Sequence, residues 1–371
     1  MAQNSTGSVY DAWLASACMP PSTVLQMLQI YGQAESVYCA FQRKEKELFG
    51  LITPRFARTL EGNGTDERLE HMSALLEKHS IGVSRYDDPG FPASLKDIED
   101  PPAILFYQGN LHCVNNQSLA MVGSRAASYS GQKTARKIAG ELSRNGVTIV
   151  SGLACGIDAA SHEGCIDGGS PTIAVTACGL DIVYPKDNIR LRDKILEKDG
   201  LIITEYAPGE KPIGWHFPFR NRIIAGIGQA LILIEARIRS GSMTSVQHAL
   251  EQGKDVFVYP GDPESALFEG NHQLLREGGI YFTEAADILN DLHWLDNQPT
   301  VRQNSDCYAD ISNLAPEQLA VIRALKPGRL SFEQILEMTG TDPARLMSNL
   351  TILQISGIIE SLPGKQYQLK H

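Results

Sequence analysis

The sequence predicts an α/β protein built on a doubly wound, Rossmann-like parallel sheet, and three observations predict it. Short apolar runs recur between residues 117 and 290 without the in-out alternation of a half-exposed strand. Helical runs separate them, leaving room for a crossover helix between successive parallel strands. Turns rich in glycine and serine follow three of the runs, which is where an open parallel sheet places its ligands.

The elements follow in order. With 371 residues, 43% hydrophobic and 20% charged, the chain has the composition of two or three folded domains. Residues 1–84 read as a bundle of short helices. Tyr10–Ala17, Ser22–Ile30 and Ala34–Phe41 are apolar-periodic and are broken at Pro20-Pro21 and Gly32. Asp66–His79 carries Leu69, Met72, Leu75 and Leu76 on one face. Short helices with proline-bearing turns occur in nucleic-acid-binding helical hairpins. Those usually have a glycine-rich hairpin, and Met19-Pro20-Pro21-Ser22 has none, so a structural or protein-contact role is expected here.

Residues 85–295 form the central domain. It opens with a proline-rich connector holding one strand, Ala103–Tyr107. The strand runs are Leu119–Val122, Val147–Val150, Thr172–Thr176, Leu201–Thr204, Ala230–Ile234 and Val256–Tyr259. Helices are expected at 130–145, 157–167, 188–198, 242–252 and 284–291, with right-handed crossovers. Residues 296–312 are polar, lack periodicity and read as a linker. Residues 313–371 give a helix at Glu317–Leu325 and a second at Ser331–Met338, with Ser331 and Gln334 as a capping box. A third helix starts at Pro343 and runs through Leu353. A two-stranded wing, turning at Pro363-Gly364, completes a winged-helix pattern.

Charge and cysteine usage narrow the function. The net charge of −10 argues against indiscriminate nucleic-acid binding. Residues 118–240 nevertheless carry 15 basic against 12 acidic side chains, so a local basic face is compatible with the total. Seven scattered cysteines form no CxxC pair, so no disulfide framework or metal site is indicated. The chain shows no basic leader with an apolar core and no run of about 18 apolar residues. A cytoplasmic protein without membrane contact is expected.

The segment Phe217-Pro218-Phe219-Arg220-Asn221-Arg222-Ile223-Ile224 stands out. Read as a surface loop, it offers two guanidinium forks, an amide and, with Trp215, several aromatic faces. That set suits an extended polyanion with exposed bases. At least one of the three aromatics is expected to be core. The glycine turns add Gly123-Ser124-Arg125, Ser151-Gly152 ahead of Gly156-Ile157-Asp158, and Arg239-Ser240-Gly241-Ser242, all at one edge of the sheet. Lys186, after Tyr184-Pro185, is within reach of a backbone phosphate. Each glycine alone reads equally as a tight-turn residue. Asp158 serves as readily as a helix-dipole partner, and His162 as a packed core residue.

Enzyme motifs are missing. There is no GxGxxG, Walker A loop, GxSxG elbow or HExxH pattern. Glu205 and Glu235 stand at strand ends, but nothing places a nucleophile beside them.

Taken in order, the motifs resemble the DNA-processing protein A (DprA/Smf) family. They are Asp100-Pro101-Pro102, Val122 to Arg125, Ser151 to Ala154 with Gly156-Ile157-Asp158, and Gly179-Leu180-Asp181. Tyr184-Pro185-Lys186, Phe217 to Ile224, Glu235-Ala236, Ser240 to Ser242 and Val258-Tyr259-Pro260-Gly261 complete the set. The resemblance implies an extended Rossmann domain with a sterile-alpha-motif-like N-terminal domain and a C-terminal winged helix. It implies a homodimer that binds single-stranded DNA and delivers it to the RecA recombinase in natural transformation or related recombination; neither catalysis nor a cofactor is expected. The DNA pocket it implies comprises Gly123, Ser124, Arg125, Gly152, Lys186, Arg220, Asn221, Arg222, Ser240, Gly241 and Ser242. Cys155 stands where the family often has arginine, and Ser161 where it has alanine. The helix from Pro343 has few cations, which favours a protein-contact role over duplex binding. The competing expectation is a nucleotide-processing enzyme of the phosphoribohydrolase type. Those carry a Pro-Gly-Gly loop and a catalytic glutamate where this chain has Arg-Ser-Gly-Ser-Met-Thr.

Overall fold

A computed structural model describes residues 5–294, 316–325, 329–355, 359–362 and 366–369. The chain divides into two compact units, Met1–Asp296 and Asn297–His371.

The first unit begins with six helices: α1 (Ser5–Ala15), α2 (Pro21–Tyr31), α3 (Ala34–Gln42), α4 (Lys46–Leu51), α5 (Pro54–Asn63) and α6 (Asp66–Lys78). The sequence reading missed α4 and α5, although α5 carries a start signal: Thr53 accepts from the Phe56 N–H and Pro54 opens the helix. Trp13 anchors the bundle, fully buried, with its indole N–H on the Leu60 carbonyl at 2.8 Å. The bundle is continuous with the sheet, because Trp13, Met27 and Leu48 share one apolar cluster with Ala174, Ile195 and Ile202.

The sheet elements then alternate: β1 (Gly82–Arg85), β2 (Ile104–Gly109), β3 (Ser118–Val122), α7 (Tyr129–Arg144), β4 (Thr148–Ser151), α8 (Ile157–Gly168), β5 (Thr172–Val175), α9 (Ile189–Glu197) and β6 (Leu201–Thr204). After these come α10 (His216–Ile227), β7 (Ala230–Leu233), α11 (Ser242–Glu251), β8 (Val256–Val258), α12 (Glu269–Arg276), β9 (Ile280–Tyr281) and α13 (Ala285–Asp291). Their order in the sheet is β1-β2-β6-β5-β4-β3-β7-β8-β9. Strands β3 to β9 run parallel, while β1 and β2 add antiparallel at one edge. The segment expected to be a connector therefore extends the sheet. Burial is two-sided: Leu119 and Met121 pack against α7 and α8, and Ala120 and Val122 against α10 and α11. That is why these strands read as unbroken apolar runs.

The stretch expected as a surface loop is instead the first turns of α10. The sequence hid this in two ways. No side chain caps the helix, and Pro218 reads as a breaker although it lies in the first turn, where its missing N–H costs nothing.

The second unit holds α14 (Pro316–Leu325), β10 (Leu330–Ser331), α15 (Phe332–Thr339), α16 (Pro343–Ile355), β11 (Ile359–Leu362) and β12 (Gln366–Leu369). Val321, Ile335, Leu346, Leu350 and Leu353 form its core. The Ser331–Gln334 capping box is present. The wing has a third strand, β10, beside β12. The expected linker, 296–312, and the wing turn at Pro363-Gly364 lie outside the described residues.

Candidate nucleic-acid interface

From β3 the chain winds outward through β4, β5 and β6, then returns to place β7 on the other side of β3. The loops leaving β3 and β7 diverge at that reversal, and a cleft of about 840 Å³ opens at their carboxyl ends.

Four segments supply its polar groups. After β3, Gly123 lets the turn lie against α8: a Cβ there would sit 2.5 Å from Ile157 Cγ1. The Ser124 N–H donates to the Glu235 carbonyl at 2.7 Å, and the Ser124 carbonyl accepts from Ile157 at 3.2 Å. The turn's shape is thereby fixed, and the Ser124 hydroxyl has no partner among the described residues. Buried Glu235 accepts the Ser128 N–H at 2.9 Å, which holds the start of α7. Arg125 is exposed, its guanidinium 4.7 Å over the Phe217 ring.

After β4, Gly156 adopts φ +79° beneath the Ser124 carbonyl, a place that any Cβ would invade. Asp158 then accepts the Ala154 N–H at 3.3 Å. From α10, Arg220 reaches the floor of the cleft and is 3% exposed. It donates to the Gly152 carbonyl at 2.9 Å and to the Val175 carbonyl. Burial pushes the Arg220 guanidinium down to about 10, against the pull of Asp158, and pushes the Asp158 carboxyl up. Asn221 braces the fourth segment, donating to Thr244 Oγ1 at 2.7 Å and the Gly241 carbonyl at 3.3 Å. That segment follows β7 and carries exposed Arg237 and Arg239, then Ser240, Gly241 and Ser242 at the start of α11. Four guanidiniums thus face one cleft against a single carboxylate, Asp158.

The family model for DNA recombination-mediator protein A matches residues 82–293, and a DprA winged-helix model matches 308–365. This chain belongs to the DNA recombination-mediator protein A family. Protein Smf of Escherichia coli is 35% identical over 307 residues, 81% of each chain. The structure of DNA processing protein A from Streptococcus pneumoniae aligns with a TM-score of 0.66 at 35% identity, covering 78% of this chain and 99% of that one. A Helicobacter pylori DNA processing protein A, solved for its single-stranded DNA binding mode, aligns with a TM-score of 0.53 at 28% identity, covering 58% and 98%.

In this member of the family, the sequence-expected residues separate into groups. Gly123, Ser124, Arg125, Arg220, Asn221, Ser240, Gly241 and Ser242 line the cleft together. Gly152 lines a smaller adjoining pocket with Arg125, Cys155, Tyr184, Pro185 and Phe217; exposed Lys186 lines neither this pocket nor the cleft and is the next residue after Pro185. Arg222 lies elsewhere. It is 4% exposed, grips Glu205 with two 2.6 Å hydrogen bonds, donates to the Asp100 carbonyl at 2.8 Å and stacks 3.9 Å over Phe219. Residues two apart on a helix point to different sides, and that alone divides Arg220 from Arg222. Arg237 was missed. Its signal was a second arginine two positions before Arg239 in an extended loop.

None of the three aromatics is core. Trp215 is exposed, and Phe217 and Phe219 are half-buried. The buried member is His216, stacked on Tyr206 at 4.0 Å between centroids. His162 is packed as a core histidine, with Nδ1 2.7 Å from Thr172 Oγ1. Glu205 and Glu235 are both held in structural contacts. Among the described residues no helix is long and apolar enough to cross a membrane.

Proposed function

We propose that this chain is a recombination mediator that holds single-stranded DNA in the cleft at the β3–β7 reversal. The observation that carries the reading is the convergence of Arg125, Arg237 and Arg239 on one rim above Arg220 and the opening of α11. Exposed guanidiniums take phosphates, and Phe217 lies under the Arg125 guanidinium and steadies it at the rim. Contacts of this kind read the backbone, so base preference is slight. Lys186 extends the cationic track toward the pocket around Gly152. Arg222 serves by holding α10 in place rather than by touching phosphate.

The chain acts without catalysis. Glu235 accepts from Ser128, and Glu205 from Arg222, which supports a structural role for both acids. Function as a homodimer, and transfer of the strand to the RecA recombinase, rest on the family resemblance.

Mobility shift with single- and double-stranded oligonucleotides of one length, with and without RecA, tests this. Preference for the single strand, and faster RecA filament formation in its presence, are expected. Equal binding of both forms, or release of free base from nucleoside monophosphates, would reject the reading.

A further inference from the structure

Outside the cleft lining, Cys18 of the helical bundle meets two metal-ligating side chains of the segment that leads into α10. The three are Cys18 in the turn between α1 and α2, Glu210 in the loop after β6, and His216, the first residue of α10. Their ligand atoms, Sγ, a carboxylate oxygen and a ring nitrogen, all lie within 4.8 Å of one another. We propose that these three residues bind a divalent zinc-type metal ion that fastens the N-terminal helical bundle to the start of α10.

The strongest support is the imidazole. His216 is fully buried, and its Nδ1 lies 3.3 Å from the Ala177 carbonyl. A carbonyl only accepts, so Nδ1 carries the proton and Nε2 presents its lone pair. Nε2 is buried and makes no well-formed hydrogen bond, although the Lys211 backbone also lies beside the ring. A histidine oriented by a backbone carbonyl at one nitrogen and open at the other has the arrangement of a metal ligand. Tyr206 stacks on the ring and fixes its plane.

The other two ligands are positioned as firmly. Glu210 closes a turn in which its N–H donates to Ala207 at 3.1 Å and its carbonyl accepts from Gly179 at 2.9 Å. Cys18 adopts φ 47°, a left-handed conformation that side chains other than glycine, asparagine and aspartate seldom occupy. A dication bound there would displace the thiol proton.

The donor set is one sulfur, one imidazole nitrogen and one carboxylate oxygen, which suits zinc over magnesium or calcium. Zinc ligands lie roughly 2.0–2.3 Å from the metal, so the three atoms need to close by about 1 Å, within side-chain rotation. A fourth position remains for water or a further donor. The site would act on the cleft indirectly, because the helix it pins carries Arg220 and Asn221 just beyond His216. Cysteine spacing gave no hint of it, since the ligands come from positions 18, 210 and 216.

The test uses the full chain freed of metal by a chelator and titrated with cobalt(II). One equivalent per chain, with a thiolate-to-cobalt charge-transfer band and the visible bands of tetrahedral cobalt, is expected. Zinc should displace the cobalt and raise the melting temperature. Cys18→Ser should abolish the charge-transfer band, Cys39→Ser should leave it, and Glu210→Gln should weaken binding roughly tenfold or more. Lack of the band in the parent, its survival in Cys18→Ser, or unaltered affinity in Glu210→Gln would overturn the site. Should Cys18→Ser fail to fold, Glu210→Gln decides alone.

Discussion

Arg222 and Glu205 form a bidentate ion pair, two hydrogen bonds of 2.6 Å each, with side chains 5% and 10% exposed. The pair ties α10 to the end of β6, and the Phe219 ring covers it. A buried pair stripped of one member leaves an unpaired charge, at a cost of about 3–5 kcal/mol. Arg222→Ala should therefore lower the urea midpoint sharply. Any loss of DNA affinity in that variant should follow the unfolded fraction. A stable Arg222→Ala protein that binds DNA poorly would return Arg222 to the phosphate-binding set.

The rim arginines should behave in the opposite way. Arg125→Ala, Arg237→Ala and Arg239→Ala should each keep the melting temperature within a degree or two of the parent. Each should weaken oligonucleotide binding by about 1–3 kcal/mol and flatten the salt dependence by roughly one contact. A salt titration of all three checks this, and unchanged slopes would move the DNA path off the cleft.

Gly152 offers a finer probe. A Cβ there would lie 2.7 Å from Asp158 Oδ2 and 2.8 Å from Arg220 Nη2. Gly152→Ala should push Arg220 out of register on the cleft floor and weaken DNA binding, while the sheet stays folded. Parent-like affinity, measured by anisotropy, would show that the placement of Arg220 is not needed.

The histidines set an acid limit. Burial pushes His162 down to about 3 and lowers His216 as well. Between the ordinary histidine value of about 6.5 and the folded value, the unfolded chain binds a proton that the folded chain does not. The stability these neutral rings contribute is therefore present above pH ~6.5 and is lost as pH falls, by up to about 1.4 kcal/mol per pH unit for each. Asp11, Asp158 and Glu210, raised chiefly by burial, act with the opposite sign from the ordinary carboxylate range upward. Comparing His162→Gln with the parent isolates the effect, because the variant's stability should vary less steeply between pH 6.5 and 4. Parallel curves would show that His162 does not carry it.

Much of this protein was legible in one dimension. The strands from Leu119, Thr172, Leu201, Ala230 and Val256 were readable because two-sided burial demands unbroken apolar runs. The alternation of helix and strand then implied the parallel sheet, and the turns at Gly123 and Ser240 pointed to its ligand-bearing edge. What the sequence could not decide was direction and partnership. Arg220 and Arg222 look alike on paper, yet helix geometry sends one to the cleft and the other to Glu205, and Pro218 concealed that the helix begins ahead of both. The antiparallel pairing of β2, the approach of Arg237 to the cleft, and the meeting of Cys18, Glu210 and His216 are long-range facts. Local periodicity records which face of an element is buried; only the folded chain determines what that face meets.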